Sequence, residues 1–520
     1  HMESNASSFS PGRVDQYLYP YFRKSLEPGE IDLQKALEII ESLWLGFNKI
    51  VYLRNSASAH YFAGFPIGFN IALAGKNADG TDSANLLSFL CLKATEHLGL
   101  PQPNLSVRLH KNSPEWFVDK CARVIGKGSG MPQVFNDESV IPALTGQGIE
   151  TADAFDYGVV GCVELSPQGN SLGWSDAAMF NLVKVLELTL TGGQCLVSGD
   201  TIGPPCDTLG GYTDFNGLLA AYKNRIAYFV EKMIDICDFV DRFHAESMPS
   251  PFLSSLIDDC LERDLAVTAG GARYNLSGIQ AIQVANVADS LAVLKQLVFE
   301  TGQIPAADLL AALKTNWQGL EKLRQRVINH VPKYGNDVAW VDELGADIVR
   351  YFSGLLSGYT NARGGRYHMG LYTVSAHVPM GKNVGASPDG RLAGSTLADG
   401  GVSAMYGRDG QGPTALLKSV SRINGRLSSN GSLLNMKFFP EFFIRDSDRK
   451  KFNALLRSFC EMSINHVQFN VFRKEDLLKA RKNPDAYRGL TIRVAGYTAY
   501  FTELAFDLQD EIIARTTYGD

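Results

Sequence analysis

The fold and chemistry of this chain depend on two short stretches, Gly161-Cys162-Val163-Glu164 in mid-chain and Arg493-Val494-Ala495-Gly496-Tyr497 near the end. In the first stretch a thiol and a carboxylate lie two residues apart and follow a glycine, which lets the backbone approach a ligand closely. If this segment is extended, both side chains face the same side and could share one pocket. The pattern predicts a nucleophilic or radical thiol beside an acid-base carboxylate. A buried structural cysteine beside a surface glutamate gives the same four letters.

The composition excludes several classes of protein. The chain has 520 residues, of which 45% are apolar, so it can form an extensive buried core. Its net charge of -6 leaves no general basic surface for nucleic acid or for an anionic membrane. No run approaches the roughly 18 apolar residues of a membrane span, and the start lacks the regions of a signal peptide. We expect a cytoplasmic protein that acts on a small molecule.

The eight cysteines form no CxxC pair and no recurring zinc spacing. Neither a disulfide framework nor a metal site is therefore expected.

Hydrophobic periodicity predicts the elements that surround the two stretches. Apolar residues at Leu33, Leu37, Ile40 and Trp44 indicate an amphipathic helix that starts after Asp32. The other predicted elements are a helix at about 286–299, strands at 467–471 and 491–494, and a closing helix at 502–513, with Gly496 in the loop before it. No repeat or clear linker interrupts the chain, which favours one intertwined domain over 1–520.

Together the two stretches resemble the paired signature of glycyl radical enzymes. Cys162 and Gly496 are 334 residues apart (496 − 162), in the order and approximate separation that this family shows. Further stretches resemble the family at 10–17, 270–275, 333–336, 385–391 and 466–470. The resemblance covers essentially the whole chain and implies a pyruvate formate-lyase-like region at about 3–380 followed by a glycine radical region at about 381–520.

The resemblance also implies the fold. We expect an α/β protein with a ten-stranded barrel, made of two five-stranded half-barrels surrounded by helices, with the cysteine and glycine loops meeting inside. In this family the stretch at 10–13 ordinarily follows several hundred residues of chain. We therefore expect the N-terminal part of the barrel to be missing, either through truncation or because a separate chain supplies it.

The resemblance implies a radical chemistry for three residues. Gly496 would store an unpaired electron on its Cα, Cys162 would become the thiyl radical that attacks the substrate, and Glu164 would take a hydroxyl proton. A separate activating enzyme, with an iron-sulfur cluster and S-adenosylmethionine, would install the radical, so no cofactor is expected to remain bound. The family further suggests a homodimer. It leaves open whether the protein is enclosed within a bacterial microcompartment.

The residue after the cysteine reduces the number of reactions that this family resemblance allows. Pyruvate formate-lyase has two adjacent cysteines at its active loop, whereas Val163 follows Cys162 here, so acyl transfer is disfavoured. The Cys-x-Glu arrangement resembles the eliminating members of the family and the arylacetate decarboxylases. Asp176 lies fourteen residues beyond the cysteine, as an aspartate does in glycerol dehydratase, where it would suit a hydrogen bond to a substrate hydroxyl.

Three further residues favour a sulfonate substrate. Arg366 resembles the anion clamp of isethionate sulfite-lyase, although an arginine paired with a buried acid is an equal alternative. His368 could contact an additional hydroxyl or simply pack in the barrel wall. Gly68 stands where relatives often carry a bulky aromatic ring, whose loss would enlarge the cavity. The favoured reaction is C-S cleavage of 2,3-dihydroxypropane-1-sulfonate or isethionate, which releases sulfite and an aldehyde or ketone.

Three alternatives remain open. The first is a glycerol or propanediol dehydratase, and the second is an arylacetate decarboxylase. The third belongs to another class of protein: an inactive fragment, or a subunit that depends on a partner for the missing part.

Overall fold

The computed structural model describes residues 8, 10–50, 68–515 and 517–518. Its helices are Val14–Tyr17, Tyr19–Leu26, Leu33–Asn48, Leu86–Leu98, Glu115–Ile125, Asp137–Gly146, Thr151–Phe155, Leu182–Leu190, Phe215–Ser247, Pro251–Ser254, Val284–Val293, Ala306–Lys314, Glu321–Asn329, Ala339–Leu356, His377–Lys382, Pro413–Ser421, Asp446–Glu461, Lys474–Lys482 and Phe506–Ala514. Within this part of the chain no helix is long and apolar enough to cross a membrane, and no cluster of His, Cys, Asp or Glu could hold a metal ion.

A five-stranded sheet forms one side of the interior. Its strands, in spatial order, are β1 (Asn70–Ala74), β2 (Asn104–Leu109), β3 (Gln133–Asn136), β10 (His466–Val471) and β9 (Asn435–Phe438). The first three run parallel, β10 is antiparallel to β3, and β9 is parallel to β10. Every residue of the five strands is buried, as expected for a sheet covered on both faces.

A second sheet has three strands, all parallel. It consists of β6 (Trp174–Asn181), β7 (Ser277–Ile282) and β8 (Tyr367–Gly370), with β7 in the middle. The α/β fold is confirmed. The ten-stranded barrel stays a prediction, because the described residues form one sheet of five strands and one of three.

Two short hairpins carry the residues singled out from the sequence. The first pairs β4 (Gly158–Val160) with β5 (Glu164–Ser166), and the second pairs β11 (Thr491–Arg493) with β12 (Thr498–Tyr500). The sequence analysis missed β12 and placed the closing helix too early. That helix begins at Phe506, after the 3-10 turn Phe501–Glu503.

The two longer helical predictions are confirmed. The helix Leu33–Asn48 buries Leu37, Ile40 and Trp44, whereas Leu33, predicted on the same face, is exposed. The Asp32 side chain caps the start of the helix by accepting a hydrogen bond from the Lys35 amide. The helix predicted at about 286–299 is an α-helix that continues as a π-helix over Leu294–Glu300.

Candidate active site

The cysteine lies in a tight turn. The backbone passes from β4 into β5 through Gly161, Cys162 and Val163, and Gly161 takes the left-handed region at φ +59°. The segment is therefore not extended at Gly161, Cys162 and Val163, so the condition under which the sequence placed both side chains on one face is not met. The thiol and the carboxylate nevertheless line the same cavity, because the turn and the first residue of β5 both face it.

Gly496 lies in the turn of the second hairpin and touches the first. Its φ is +80°, a conformation that glycine adopts at little cost. A Cβ atom built on Gly496 would lie 2.2 Å from the Cβ of Cys162 and 2.9 Å from its Cα. The two backbones approach so closely that no other residue fits at 496. The structure thus brings together the two residues that the sequence places 334 positions apart.

A row of amide side chains holds the two turns in contact. Asn70 donates to the carbonyl of Gly161 at 3.0 Å, and Gln133 donates to the carbonyl of Cys162 at 2.7 Å. Asn104 donates to the carbonyls of Gly161 at 3.2 Å and Gly496 at 2.6 Å. These three amides come from the neighbouring strands β1, β2 and β3, so the sheet fixes the position of the cysteine turn.

The row continues on β10 toward the glycine turn. The Gln468 side-chain oxygen accepts hydrogen bonds from the Gly496 N-H at 2.9 Å and from Arg493 Nε at 2.8 Å. Arg493 is fully buried and also donates to Asn104 Oδ1 at 2.5 Å. Burial lowers the pKa of Arg493 to about 9, with Cys162 acting in the opposite direction. The two polar backbone groups of Gly496 therefore each bind one side-chain amide from the sheet: the N-H binds Gln468 and the C=O binds Asn104.

Two carboxyl groups face the cavity beside the thiol. Glu164 is buried, and its Oε2 accepts hydrogen bonds from the amides of Cys162 at 2.8 Å and Val163 at 2.7 Å. Burial and the charge of Asp176 raise the pKa of Glu164 to about 8, in spite of these two amides. Asp176 exposes surface to the cavity but sits deep in the protein, and burial raises its pKa to about 6. At neutral pH the site therefore holds one neutral and one ionised carboxyl group.

The cavity has a volume of about 1100 Å³ and extends from Cys162 and Gly161 to the long helix Phe215–Ser247. Tyr497 lines it close to the thiol, and Trp174 lines it further along β6. This space is large enough for a small hydroxylated substrate.

Of the four predicted substrate contacts, two line the cavity and two do not. Asp176 and Gly68 line the cavity. Gly68 lies at φ +71°, and a Cβ there would be 3.1 Å from the Cα of Gly161. The missing side chain at this position lets the two backbones approach, and the enlargement of the cavity that the sequence led us to expect stays a prediction.

Arg366 and His368 are placed outside the cavity. Arg366 is exposed just before β8 and is not part of the cavity lining, so its predicted use as an anion clamp is wrong in this structure. His368 is buried within β8 and contacts Ser429 Oγ at 3.0 Å through Nδ1. Burial lowers its pKa to about 3, as expected for a neutral histidine packed in the wall.

Sequence reasoning missed a polar cluster behind Asp176. The Tyr372 hydroxyl donates to the Ser175 carbonyl at 2.7 Å, and Asn430 donates to the same carbonyl at 2.6 Å and to the Tyr372 hydroxyl at 3.0 Å. Gln280 on β7 also donates to both groups. The cluster fixes the backbone next to Asp176. A sequence signal existed for such residues, since glutamine or asparagine inside a fully buried strand requires a specific partner.

Comparison with known proteins agrees with this geometry. Residues 1–381 match the family model "Pyruvate formate lyase-like", and residues 398–502 match "Glycine radical". The chain is 41% identical to "Probable dehydratase YbiW" of Escherichia coli (strain K12) and 36% identical to "(2S)-3-sulfopropanediol dehydratase" of Klebsiella oxytoca, each over 99% of this chain. It spans 66% and 63% of their lengths, respectively.

Solved structures give the same result. The glycerol-bound form of the B12-independent glycerol dehydratase from Clostridium butyricum matches with a TM-score of 0.95 and 39% identity, over 99% of this chain and 64% of that one. About a third of each of these relatives has no counterpart here. With both halves of its length matched and the cysteine and glycine turns in contact, this chain belongs to the pyruvate formate lyase-like family and carries that family's glycine radical domain.

Proposed function

We propose that this chain is the radical-bearing part of a glycyl radical lyase that dehydrates a small hydroxylated molecule. The observation that carries this proposal is the contact between Gly496 and Cys162, where a Cβ on the glycine would lie 2.2 Å from the Cβ of the cysteine. A hydrogen atom can pass between the glycine Cα and the thiol only at such short range. A separate activating enzyme installs the radical on Gly496.

The proposed reaction uses Cys162 to break a substrate C-H bond. The Gly496 radical takes the hydrogen atom of the Cys162 thiol, and the thiyl radical then takes one from the substrate carbon that bears a hydroxyl. Glu164, as the carboxylate, accepts the proton of this hydroxyl. The resulting radical expels the hydroxyl of the neighbouring carbon, which takes up the proton that Glu164 accepted and leaves as water. The product radical takes a hydrogen atom from the Cys162 thiol, and the thiyl radical so formed takes one from Gly496, which restores both the thiol and the glycyl radical.

Asp176 supports a neutral diol as the substrate class. Its carboxylate lies in the cavity with Glu164 and suits a hydrogen bond to a second substrate hydroxyl, whereas a sulfonate would be repelled by it. The C-S cleavage favoured from the sequence relied on Arg366, which is exposed and outside the cavity lining. We therefore propose C-O cleavage of a neutral diol, in keeping with the dehydratases among the matched relatives.

The proposal is tested with protein purified without oxygen from cells that also express a glycyl radical activating enzyme. Electron paramagnetic resonance should show a glycyl radical, and glycerol or 1,2-propanediol should yield an aldehyde. Cys162→Ser should keep the radical signal but form no product. Sulfite release from 2,3-dihydroxypropane-1-sulfonate, without diol turnover, would replace dehydration by C-S cleavage. A radical-bearing protein that consumes neither substrate would refute the lyase assignment for these compounds.

A further inference from the structure

Arg493 is a fully buried cation whose side-chain hydrogen bonds run to neutral oxygen atoms. Its Nε donates to Gln468 Oε1 at 2.8 Å. Its Nη1 and Nη2 donate to Asn104 Oδ1 and Gln133 Oε1, each at 2.5 Å. No carboxylate among the described residues pairs with it, and a buried charge without a counter-charge is costly. The amides that accept from Arg493 are called the amide triad below: Asn104, Gln133 and Gln468.

Two members of the amide triad bind the turns with their opposite ends. Asn104 Nδ2 donates to the Gly496 carbonyl at 2.6 Å. Gln133 Nε2 donates to the Cys162 carbonyl at 2.7 Å. A side-chain amide has an accepting oxygen and a donating nitrogen, whereas a guanidinium group can only donate. The presence of Arg493 therefore requires both oxygens to face the guanidinium, which leaves both nitrogens to face the carbonyls of the turns.

The third member, Gln468, presents its oxygen to Arg493 and to the Gly496 N-H at once. With Asn104, it supplies an acceptor for the N-H and a donor for the C=O on the two sides of the Gly496 Cα. A radical on this Cα is stabilised when the nitrogen releases electron density and the carbonyl withdraws it. Both hydrogen bonds favour that polarisation, and the charge of Arg493 strengthens the Asn104 donor.

We propose that Arg493 is a positioning residue of the radical site. Its planar fork of donors sets the orientation of the amide triad, and the triad fixes the glycine turn against the cysteine turn. Lysine is a poor substitute, since an ammonium group is a single point of charge and cannot meet three oxygens as a planar fork does. The effect on radical stability rests on the proposed function, whereas the effect on the two turns concerns the protein before activation.

The first test is hydrogen exchange of the full chain before activation, followed by mass spectrometry. In Arg493→Lys the stretch 494–497 should exchange about tenfold or more faster than in wild type, because the acceptor of the Gly496 N-H is no longer held in place. Strand β7 lies in the other sheet and should exchange at the wild-type rate. Exchange of 494–497 as slow as in wild type would overturn the proposal, since a point charge would then suffice.

Arg493→Gln is the second variant. It introduces no buried charge, so it can fold even if circular dichroism shows that Arg493→Lys does not. Glutamine is shorter than arginine and cannot reach all three oxygens of the triad. The same acceleration of exchange in 494–497 is therefore expected, and wild-type exchange in a folded Arg493→Gln would equally refute the positioning role.

Arg391→Met is the matched control. Arg391 is also a buried arginine, but its guanidinium donates to backbone carbonyls within 381–395, outside the cavity lining. Its loss should lower the thermal midpoint of unfolding, because buried carbonyls lose their donors, and should leave the exchange of 494–497 unchanged. Equal acceleration in the Arg391 and Arg493 variants would indicate a general loosening of the fold and would contradict a positioning role.

The second test is the lifetime of the radical after activation without oxygen. The electron paramagnetic resonance signal should decay several-fold faster in Arg493→Lys than in wild type or Arg391→Met, and an equally long-lived signal would overturn the proposal. If the wild type forms no radical, the proposed function fails, and the exchange rates still decide the role of Arg493. They also decide it if only the Arg493 variants form none. If the wild type carries the radical and exchange is unaltered in the variants, only the positioning role fails.

Discussion

The raised pKa of Glu164 makes the stability of the fold depend on pH in a defined direction. Burial and the Asp176 charge bring this pKa to about 8, against an ordinary value of 4.5. The difference of about 3.5 units (8 − 4.5) corresponds to about 5 kcal/mol at about 1.36 kcal/mol per unit. The folded state binds this proton more tightly than the unfolded chain does. The protonated Glu164 therefore contributes to the free energy of unfolding in full below about pH 4.5, and this contribution is lost as the pH rises through about 8.

Glu164→Gln is the perturbation that removes this dependence. The glutamine oxygen can still accept the hydrogen bonds from the amides of Cys162 and Val163, but the side chain never ionises. The difference in unfolding free energy between variant and wild type should therefore shift in favour of the variant as the pH rises from 5 to 9. About 5 kcal/mol is the upper limit of this change in unfolding free energy, since partial entry of solvent would reduce the shift in the pKa of Glu164.

The assay is urea unfolding without oxygen, followed by tryptophan fluorescence at pH 5, 7 and 9. The exposed Glu30, changed to Gln, serves as the control and should leave the pH profile of the wild type unaltered. If the difference between Glu164→Gln and wild type is the same at pH 5 and pH 9, within about 0.5 kcal/mol, then burial does not raise this pKa and the reasoning is refuted.

Three other changes test the contact between the turns and the pair of carboxyl groups. Gly496→Ala should abolish the radical signal and lower the thermal midpoint, because its Cβ would lie 2.2 Å from that of Cys162; Gly489→Ala, where the space is open, should retain both. Gln468→Leu removes the acceptor of the Gly496 N-H and should cost about 1–3 kcal/mol, with faster exchange of that amide by mass spectrometry; unchanged exchange would contradict the role of the amide row. Asp176→Asn removes a like charge and so lowers the pKa of Glu164, which should make the stability lost between pH 5 and pH 9 smaller than in wild type; a profile identical to wild type would exclude the coupling.

The proton balance of the proposed reaction gives one further prediction. Glu164 can accept a substrate proton only as the carboxylate, and its pKa of about 8 leaves it mostly protonated at neutral pH. The rate of dehydration should therefore rise as the pH increases through about 8. A rate that falls over this range in the activated wild type, with the radical signal constant, would show that Glu164 acts as an acid.

Local patterns in the sequence were sufficient to indicate the family and to suggest Cys162 and Gly496 as the proposed reacting pair. The chemistry restricts the residue types, because a stable backbone radical needs a glycine and hydrogen-atom transfer needs a thiol. The helix Leu33–Asn48 could be predicted for a similar reason, since the burial of Leu37, Ile40 and Trp44 follows from spacing along one helix. Such inferences need only neighbouring residues.

Only the tertiary structure decided which polar side chains reach the cavity. Arg366 and His368 are two residues apart, yet one is exposed and the other is packed in the wall, because Arg366 precedes β8 whereas His368 lies within it and pairs with Gly278 of β7. The amide row spans 398 positions (468 − 70) and exists only because the strand order places Asn70 and Gln468 in one sheet. The sequence alone determined what chemistry is present, since residue type is local. The fold decided which of these side chains meet in the cavity, since strand pairing brings together segments that are far apart in the sequence.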